Sequence, residues 1–189
     1  MDFSVDVKQQ ELIALAKTIA EKEIAPRALR IDKSGVMDEE LLEILKESGM
    51  TQLSVPKEYG GAGIDLLTGA LISEQLSKGC AGVATICAAN SLASFPILFA
   101  GSDMQKRDLF DCLNRGGMAC FALTEPGAGS DAGAVSCRAE KVEGGYILNG
   151  TKCFITNAPI ADKITLFANT REGLSLIHIS EPTRQAEIS

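Results

Sequence analysis

The sequence has no tryptophan, only two tyrosines and a single histidine. None of its six cysteines forms a C-x-x-C pair, which excludes a zinc knuckle and a thioredoxin motif. A lone histidine is more often structural than catalytic, so no metal site is predicted. The cysteines, at positions 80, 87, 112, 120, 137 and 153, lie mostly among apolar or small neighbours. We expect buried free thiols in a reducing cytoplasm.

The sequence also lacks a long uninterrupted hydrophobic run and an excess of basic charge. Its longest apolar stretch, 81–100, is interrupted by Asn90, Ser91, Ser94 and Pro96, so no membrane span is predicted. The formal net charge is -7, which argues against a nucleic-acid partner. The first residues, MDFSVDVKQQ, resemble neither a secretory signal nor an Arg-rich transit peptide, so a cytoplasmic location is expected.

Helical patterns dominate the first two-thirds of the chain. Asp38 is predicted to be an N-cap, and Ser102 with Gln105 to form a capping box. Pro26 is expected to bend or divide the first helix. The apolar spacing predicts five helices, at about 5–24, 38–49, 65–78, 81–95 and 102–114.

The pattern changes to strands at Met118. Strands are predicted at 118–124, 136–142, 146–149 and 163–168, with a turn around residues 143–145. Asn149-Gly150 is a further hairpin signal that leads into a strand at 153–156. The fold class is therefore α+β, in which an all-α domain (1–117) precedes an incomplete antiparallel β domain (118–173).

The last sixteen residues, 174–189, are predicted to be non-native. Residues 174–184, LSLIHISEPTR, resemble the translation of a transposase-type sequencing adapter. The only histidine, His178, lies in this segment, so we assign it no function. The native reading frame is expected to be cut after about Gly173 and to continue in the source gene.

A glycine-rich loop, FALTEPGAGSDAGA, occupies residues 121–134. Its G-x-G-x-x-A spacing is similar to a dinucleotide-binding fingerprint, but a β-patterned stretch follows where that fingerprint needs a helix. A plain β-turn at Pro126-Gly127 is the alternative. Thr124, Ser130 and Thr156 supply hydroxyl groups near a loop that a flat or phosphate-bearing ligand can approach closely.

These blocks together resemble the N-terminal part of an acyl-CoA dehydrogenase. The resemblance rests on ALTEPGAGSDAG, LNGTKCFITNA, VPKEYGGAG and the helical run that ends PILFAGSDMQKRDLF. It implies an all-α domain, a middle β domain and a C-terminal four-helix domain that is missing here, with FAD between the last two. The implied reaction is α,β-dehydrogenation of an acyl-CoA thioester, in which hydride passes to flavin N5.

The resemblance also implies individual roles. Ser130 would contact the cofactor pyrophosphate and the CoA pantetheine, and Phe154 would cover the flavin face, although without the resemblance a core aromatic is an alternative for Phe154. Asn90, Ser91, Leu92 and Phe95 are candidates for the acyl pocket. The residues expected to bind the cofactor are Phe121, Leu123, Thr124, Gly129, Ser130, Phe154, Ile155 and Thr156.

Two conspicuous carboxylates, Glu125 and Asp131, are expected to be structural, since the resemblance places the catalytic base in the missing domain. The resemblance further implies an electron-transferring flavoprotein as partner and a homotetrameric parent, whereas the truncated chain should be inactive. An acyl-CoA oxidase, another flavoenzyme of this superfamily and a non-catalytic helical binding module remain alternatives.

Overall fold

The computed structural model describes residues 4–171 and 173–180. By packing, the chain forms two compact units, Met1–Ser91 and Leu92–Ser189, with the boundary inside one helix. The helices are α1 (Val7–Ile19), α2 (Ala25–Ser34), α3 (Glu39–Glu47), α4 (Leu66–Gly79), α5 (Ala81–Ala100) and α6 (Asp103–Asn114). The strands are β1 (Ala119–Ala122), β2 (Arg138–Val142), β3 (Gly145–Asn149), β4 (Lys163–Thr170) and β5 (Gly173–Ser180). This order confirms the α+β class.

Side-chain caps start the helices where the sequence predicts them. The Asp38 carboxylate accepts a hydrogen bond from the Leu41 amide at the start of α3. Ser102 and Gln105 form the predicted capping box of α6. Two further caps, Asp6 and Asp65, begin α1 and α4 in the same way. Each cap satisfies an amide that the helix itself leaves without an acceptor.

Pro26 divides the first helix as expected. A π-helical turn, Ala20–Ile24, separates α1 from α2, and Pro26 lies in the first turn of α2. The Ala25 amide donates to the Ala20 carbonyl, which is the five-residue step of a π-helix. A proline is tolerated in a first turn, because the amide that it lacks would have no helical acceptor there.

The predicted end of α5 at Phe95 is wrong, because the helix continues through Pro96 to Ala100. Ile97, one residue further, is fully buried, and its carbonyl accepts from the Gly101 amide at 2.8 Å. Packing therefore outweighs the hydrogen bond that Pro96 cannot donate. By length and composition alone, α5 could also cross a membrane, although less than half of it is buried.

Buried polar groups on α5 favour a core helix instead. Asn90 is fully buried, and its side-chain amide donates to the Thr51 carbonyl at 2.8 Å. A long apolar helix is weak evidence for a membrane span, because core helices of globular domains have the same composition. The absence of a membrane span stays a prediction.

The first unit packs its helices around one apolar core. The central members are fully buried and come from the π-helical turn, α3, α4 and the segment after α3: Ile24, Leu41, Leu45, Met50 and Ile72. Leu41 and Leu45 are four residues apart on α3, which is the spacing of a helix that faces a core on one side. This unit carries Asn90 and Ser91.

The second unit contains a mixed sheet, which corrects the expected antiparallel arrangement. β1 and β4 pair in parallel, while β2 pairs with β3, and β4 with β5, in antiparallel fashion. Parallel pairing needs a long connection, and residues 123–162 provide it between β1 and β4. The same connection contains the glycine-rich loop.

The strand predicted at 153–156 is also wrong. Residues 150–157 form an irregular segment in which Phe154 and Asn157 have φ angles of +58° and +69°. No strand accommodates these angles. At position 150 a glycine is required by space, because a Cβ there would lie only 2.7 Å from the Cys137 Cα. The Asn149-Gly150 pair therefore marks a close backbone approach and no hairpin.

Candidate functional site

The glycine-rich loop folds back on itself directly after β1. Glu125 and Ala128 exchange two backbone hydrogen bonds of 3.1 Å, which close a tight turn with Pro126 and Gly127 at its tip. A Cβ at Gly127 or Gly129 would have no atom of residues 4–171 or 173–180 within 4 Å, so this side of the loop is open among the described residues. The open side can therefore receive a ligand close to the backbone.

The Glu125 carboxylate anchors the loop from beneath. One of its oxygens accepts from the Ser136 amide at 2.7 Å and the Ser136 hydroxyl at 2.6 Å. The other accepts from the Cys137 amide at 2.9 Å and Lys152 Nζ at 2.8 Å. Burial alone would raise the pKa of Glu125, but these hydrogen bonds outweigh it and lower the pKa to about 2. Glu125 is thus a structural anion, as expected.

Lys152 connects the loop to the irregular segment that follows β3. Its ammonium donates to Glu125 and, at 2.9 Å, to the Leu123 carbonyl. The next residue, Cys153, donates its amide to the Thr124 carbonyl at 3.0 Å. At the other end of the segment, the Asn157 side chain donates to the Ala119 carbonyl at 3.2 Å. The two predicted cofactor-binding blocks are therefore adjacent in space.

Phe154 is an unusual residue within this segment. Its φ of +58° belongs to the left-handed region, which a bulky side chain seldom occupies, and its side chain is 90% exposed. The core-aromatic alternative is therefore wrong. A backbone outlier that presents an aromatic ring to solvent is typical of ligand-contacting positions.

The remaining predicted cofactor residues lie around the same two blocks. Phe121 is half-buried on β1, where its ring lies 5.2 Å from that of Phe167. Leu123, Thr124 and Ile155 are half-buried, whereas Gly129, Ser130 and Thr156 are exposed. The exposed hydroxyls and glycine are thus available to a ligand, and their roles stay predictions.

The predicted acyl-pocket residues are all on α5. Asn90 is fully buried and bonded to Thr51, and Ser91 is half-buried. In the second unit, Leu92 is 52% exposed and Phe95 is half-buried, with its ring stacked on Phe99 at 6.4 Å. Asn90 already uses its side-chain amide within the first unit, so its substrate role stays a prediction.

A second charge cluster lies between α6 and the sheet, with the Lys163 and His178 side chains largely buried and Asp108 partly exposed. Lys163 Nζ is 2.9 Å from both Asp108 carboxylate oxygens, and His178 Nε2 is 3.0 Å from one of them. Burial lowers the pKa of His178, although the hydrogen bond and the charge of Asp108 oppose that effect. Among the residues that the structure describes, no group of His, Cys, Asp or Glu side chains is arranged to hold a metal ion.

The six cysteines are free thiols, as predicted. Cys87, Cys112, Cys120 and Cys137 are buried, and Cys80 and Cys153 are half-buried. Burial raises the pKa of Cys87 and Cys120 to about 12. A thiol with so high a pKa is neutral and unreactive at neutral pH.

Two family models cover almost the whole chain. The acyl-CoA dehydrogenase N-terminal domain matches residues 6–117, and the middle domain of the same family matches residues 120–189. The chain therefore belongs to the acyl-CoA dehydrogenase family. The middle-domain match and β5 both include residues of the 174–189 segment, whose adapter origin stays a prediction.

Individual relatives are consistent with this assignment. The 3-(aryl)acrylate reductase of Clostridium sporogenes is 45% identical over 167 residues, which are 86% of this chain and 44% of that protein. The structure of butyryl-CoA dehydrogenase from Megasphaera elsdenii has a TM-score of 0.87 and 36% identity, over 97% of this chain and 51% of that one. The FAD complex of PigA has a TM-score of 0.83 and 33% identity, over 97% and 50%. The chain thus spans about half the length of these relatives.

Proposed function

We propose that this chain is the N-terminal part of an FAD-dependent acyl-CoA dehydrogenase. The observation that carries the proposal is the pair of linked loops, in which Lys152 and Cys153 hold the Phe154 segment against the glycine-rich loop. Together the loops offer open backbone, exposed hydroxyls and one exposed aromatic ring. These are the features that a flat cofactor with a pyrophosphate requires.

We expect FAD to bind through donors that the described residues of this chain leave unused. Within the described part of the chain, the Thr124 amide and hydroxyl have no hydrogen-bond partner, so they can serve the pyrimidine edge of the flavin. Thr156 and Ser130 are exposed donors for the flavin N5 region and the pyrophosphate. Phe154 would cover one face of the ring and exclude water from it. When bound, FAD supplies an acceptor for hydride.

The proposed reaction also needs a base for the α proton, and Glu125 does not fit that role. A carboxylate that accepts four hydrogen bonds and has a pKa of about 2 does not take a proton near neutral pH. The base, as the family resemblance implies, belongs to a C-terminal domain outside this sequence. The 189-residue chain would then be inactive alone.

The direction of the reaction and the electron acceptor belong to the proposal as well. The family resemblance favours dehydrogenation of an acyl-CoA, with an electron-transferring flavoprotein as partner, in a cytoplasmic homotetramer. The 45% identity to a 3-(aryl)acrylate reductase favours testing the reverse direction too. An acyl-CoA oxidase would differ by passing its electrons to oxygen.

The decisive experiment begins with the source DNA. The gene should be sequenced past codon 173 without transposase adapters, and the complete protein should then be purified. We expect a bound flavin whose absorbance bleaches on addition of butyryl-CoA without oxygen and returns with an electron-transferring flavoprotein. Rapid return with oxygen alone would favour an oxidase. A complete protein without flavin would overturn the proposal and favour a helical binding module.

A further inference from the structure

Lys152 is a buried cation with two distinct acceptors. Its side chain is 5% exposed, and the side chain of its partner Glu125 is 3% exposed. The second acceptor, the Leu123 carbonyl, belongs to the backbone of the glycine-rich loop. The contact with Leu123 satisfies a second N–H donor of the buried ammonium, and its effect on the loop backbone has a geometric explanation.

The geometry of the peptide bond supplies that explanation. In a trans peptide, the carbonyl of Leu123 and the amide N–H of Thr124 lie in one plane and point in opposite directions. Because Lys152 holds the Leu123 carbonyl towards the buried ion pair, the Thr124 N–H must point away from it. The Cys153 amide, which donates to the Thr124 carbonyl, fixes the next peptide unit as well.

The Thr124 N–H therefore has a fixed direction, but no described residue accepts a hydrogen bond from it. Neither it nor the Thr124 hydroxyl has a hydrogen-bond partner among residues 4–171 and 173–180. A half-buried amide without a partner is costly unless a ligand or water accepts from it. An oriented donor of this kind can stabilise negative charge on a ligand, because it needs no reorganisation when the charge appears.

We propose that Lys152 is a positioning residue that, through the Leu123–Thr124 peptide, aims the Thr124 N–H at the pyrimidine edge of the bound flavin. This inference rests on the proposed function. Reduction places negative charge on that edge, so a well-aimed donor favours the reduced flavin. Lys152 would therefore raise the reduction potential of the flavin without touching it.

The test uses the complete holoenzyme and separates the two contacts of Lys152. The double variant E125Q/K152M removes both buried charges and the donor to Leu123. The single variant E125Q removes the counter-charge but keeps Lys152 and its donor. The control D108N/K163M removes a half-buried ion pair of the same unit, in which Lys163 on β4 contacts Asp108 on α6. The readouts are flavin content, melting temperature and two-electron midpoint potential.

We expect E125Q/K152M to retain flavin. We also expect the ratio of reduced to oxidised flavin at a given potential to fall about tenfold, so that the two-electron midpoint potential becomes about 30 mV more negative. The control is expected to keep the wild-type midpoint, and E125Q, which keeps the Lys152 donor, is expected to shift it less than E125Q/K152M does. An unchanged midpoint in E125Q/K152M would overturn the proposal, as would an equal shift in the control. If the double variant does not fold, E125Q decides, because a tenfold change there would assign the effect to the ion pair itself. Loss of flavin from the wild-type complete enzyme would instead overturn the proposed function and this inference with it.

Discussion

At the scale of single residues, the buried pair of Glu125 and Lys152 is the main electrostatic feature of the site. Two buried charges are costly to desolvate, and they are tolerated only when hydrogen bonds satisfy both groups. Here five hydrogen bonds do so, and four of them end on Glu125. The pair therefore holds the loop in one conformation, and loss of either charge would leave the other buried without its partner.

The low pKa of Glu125 predicts a loss of stability in acid. The carboxyl has a pKa of about 2 in the folded chain against an ordinary value of 4.5, so the unfolded chain binds the proton more readily between these values. Stability is therefore complete above about pH 4.5 and falls by about 3 kcal/mol as the pH drops to about 2. Urea unfolding across this range should show that fall in the wild type, and a shallower one in E125Q/K152M. Parallel curves would contradict the assignment.

The left-handed backbone of Phe154 predicts that this position trades stability for function. Asn occupies the left-handed region more readily than Phe, so Phe154→Asn should stabilise the chain by about 1 kcal/mol. Phe154→Ala removes the same exposed ring but keeps the strained backbone, so it is the matched control and should change stability by less than about 0.5 kcal/mol. Urea unfolding measures both, and equal effects would contradict backbone strain. Both variants should weaken flavin binding in the complete enzyme.

The role of Glu125 follows from the family resemblance, which places the catalytic base elsewhere and leaves this carboxylate to hold the loop. The four hydrogen bonds that Glu125 accepts agree with that structural role. Lys152 was missed because its partner lies 27 positions away in the sequence. The available signal was a lysine within a short stretch of small and apolar residues, but such a signal names no partner.

At the scale of elements, the helix starts were the most predictable feature. Caps depend on residues three positions apart, so Asp38 and the Ser102–Gln105 pair could be recognised from local sequence alone. The predicted end of α5 and the strand predicted at 153–156 are wrong, because tertiary packing decides the conformation at both places. Buried Ile97 carries α5 past Pro96, and the links of Lys152 and Asn157 to the β1 region hold the segment out of strand geometry.

The capping box of α6 gives a prediction with a built-in control. Ser102→Ala removes the side-chain acceptor of the Gln105 amide and should cost about 1 kcal/mol of stability. Ser102→Gly removes the same oxygen, but glycine is itself favourable at an N-cap. This variant should therefore lose only about a few tenths of a kcal/mol of stability. Urea unfolding should rank wild type, Gly and Ala in that order. An equal loss in both variants would show that the cap does not form.

At the scale of the whole molecule, each unit buries its own cysteines. Thiol titration with Ellman's reagent at neutral pH should label only the half-buried Cys80 and Cys153 in the folded chain. All six should react after denaturation, because the raised pKa of buried thiols depends on the fold. Cys80→Ser and Cys153→Ser should each remove one fast-reacting thiol. More than two fast thiols in the native chain would contradict the packing of the buried four.

The C-terminal strand gives the last prediction, whatever its origin. β5 pairs with β4 from Thr170 to Lys163, and its apolar and β-branched residues favour a strand whatever the origin of the sequence. A stop after Gly173 would leave one edge of β4 unpaired and should lower the melting temperature and cause aggregation, as seen by light scattering. A stop after Ser180 keeps every described strand and is the control. Equal behaviour of the two truncated chains would show that β5 contributes nothing. If the source gene continues past codon 173, its own next residues should restore solubility in the same place, because β4 requires a partner on that edge.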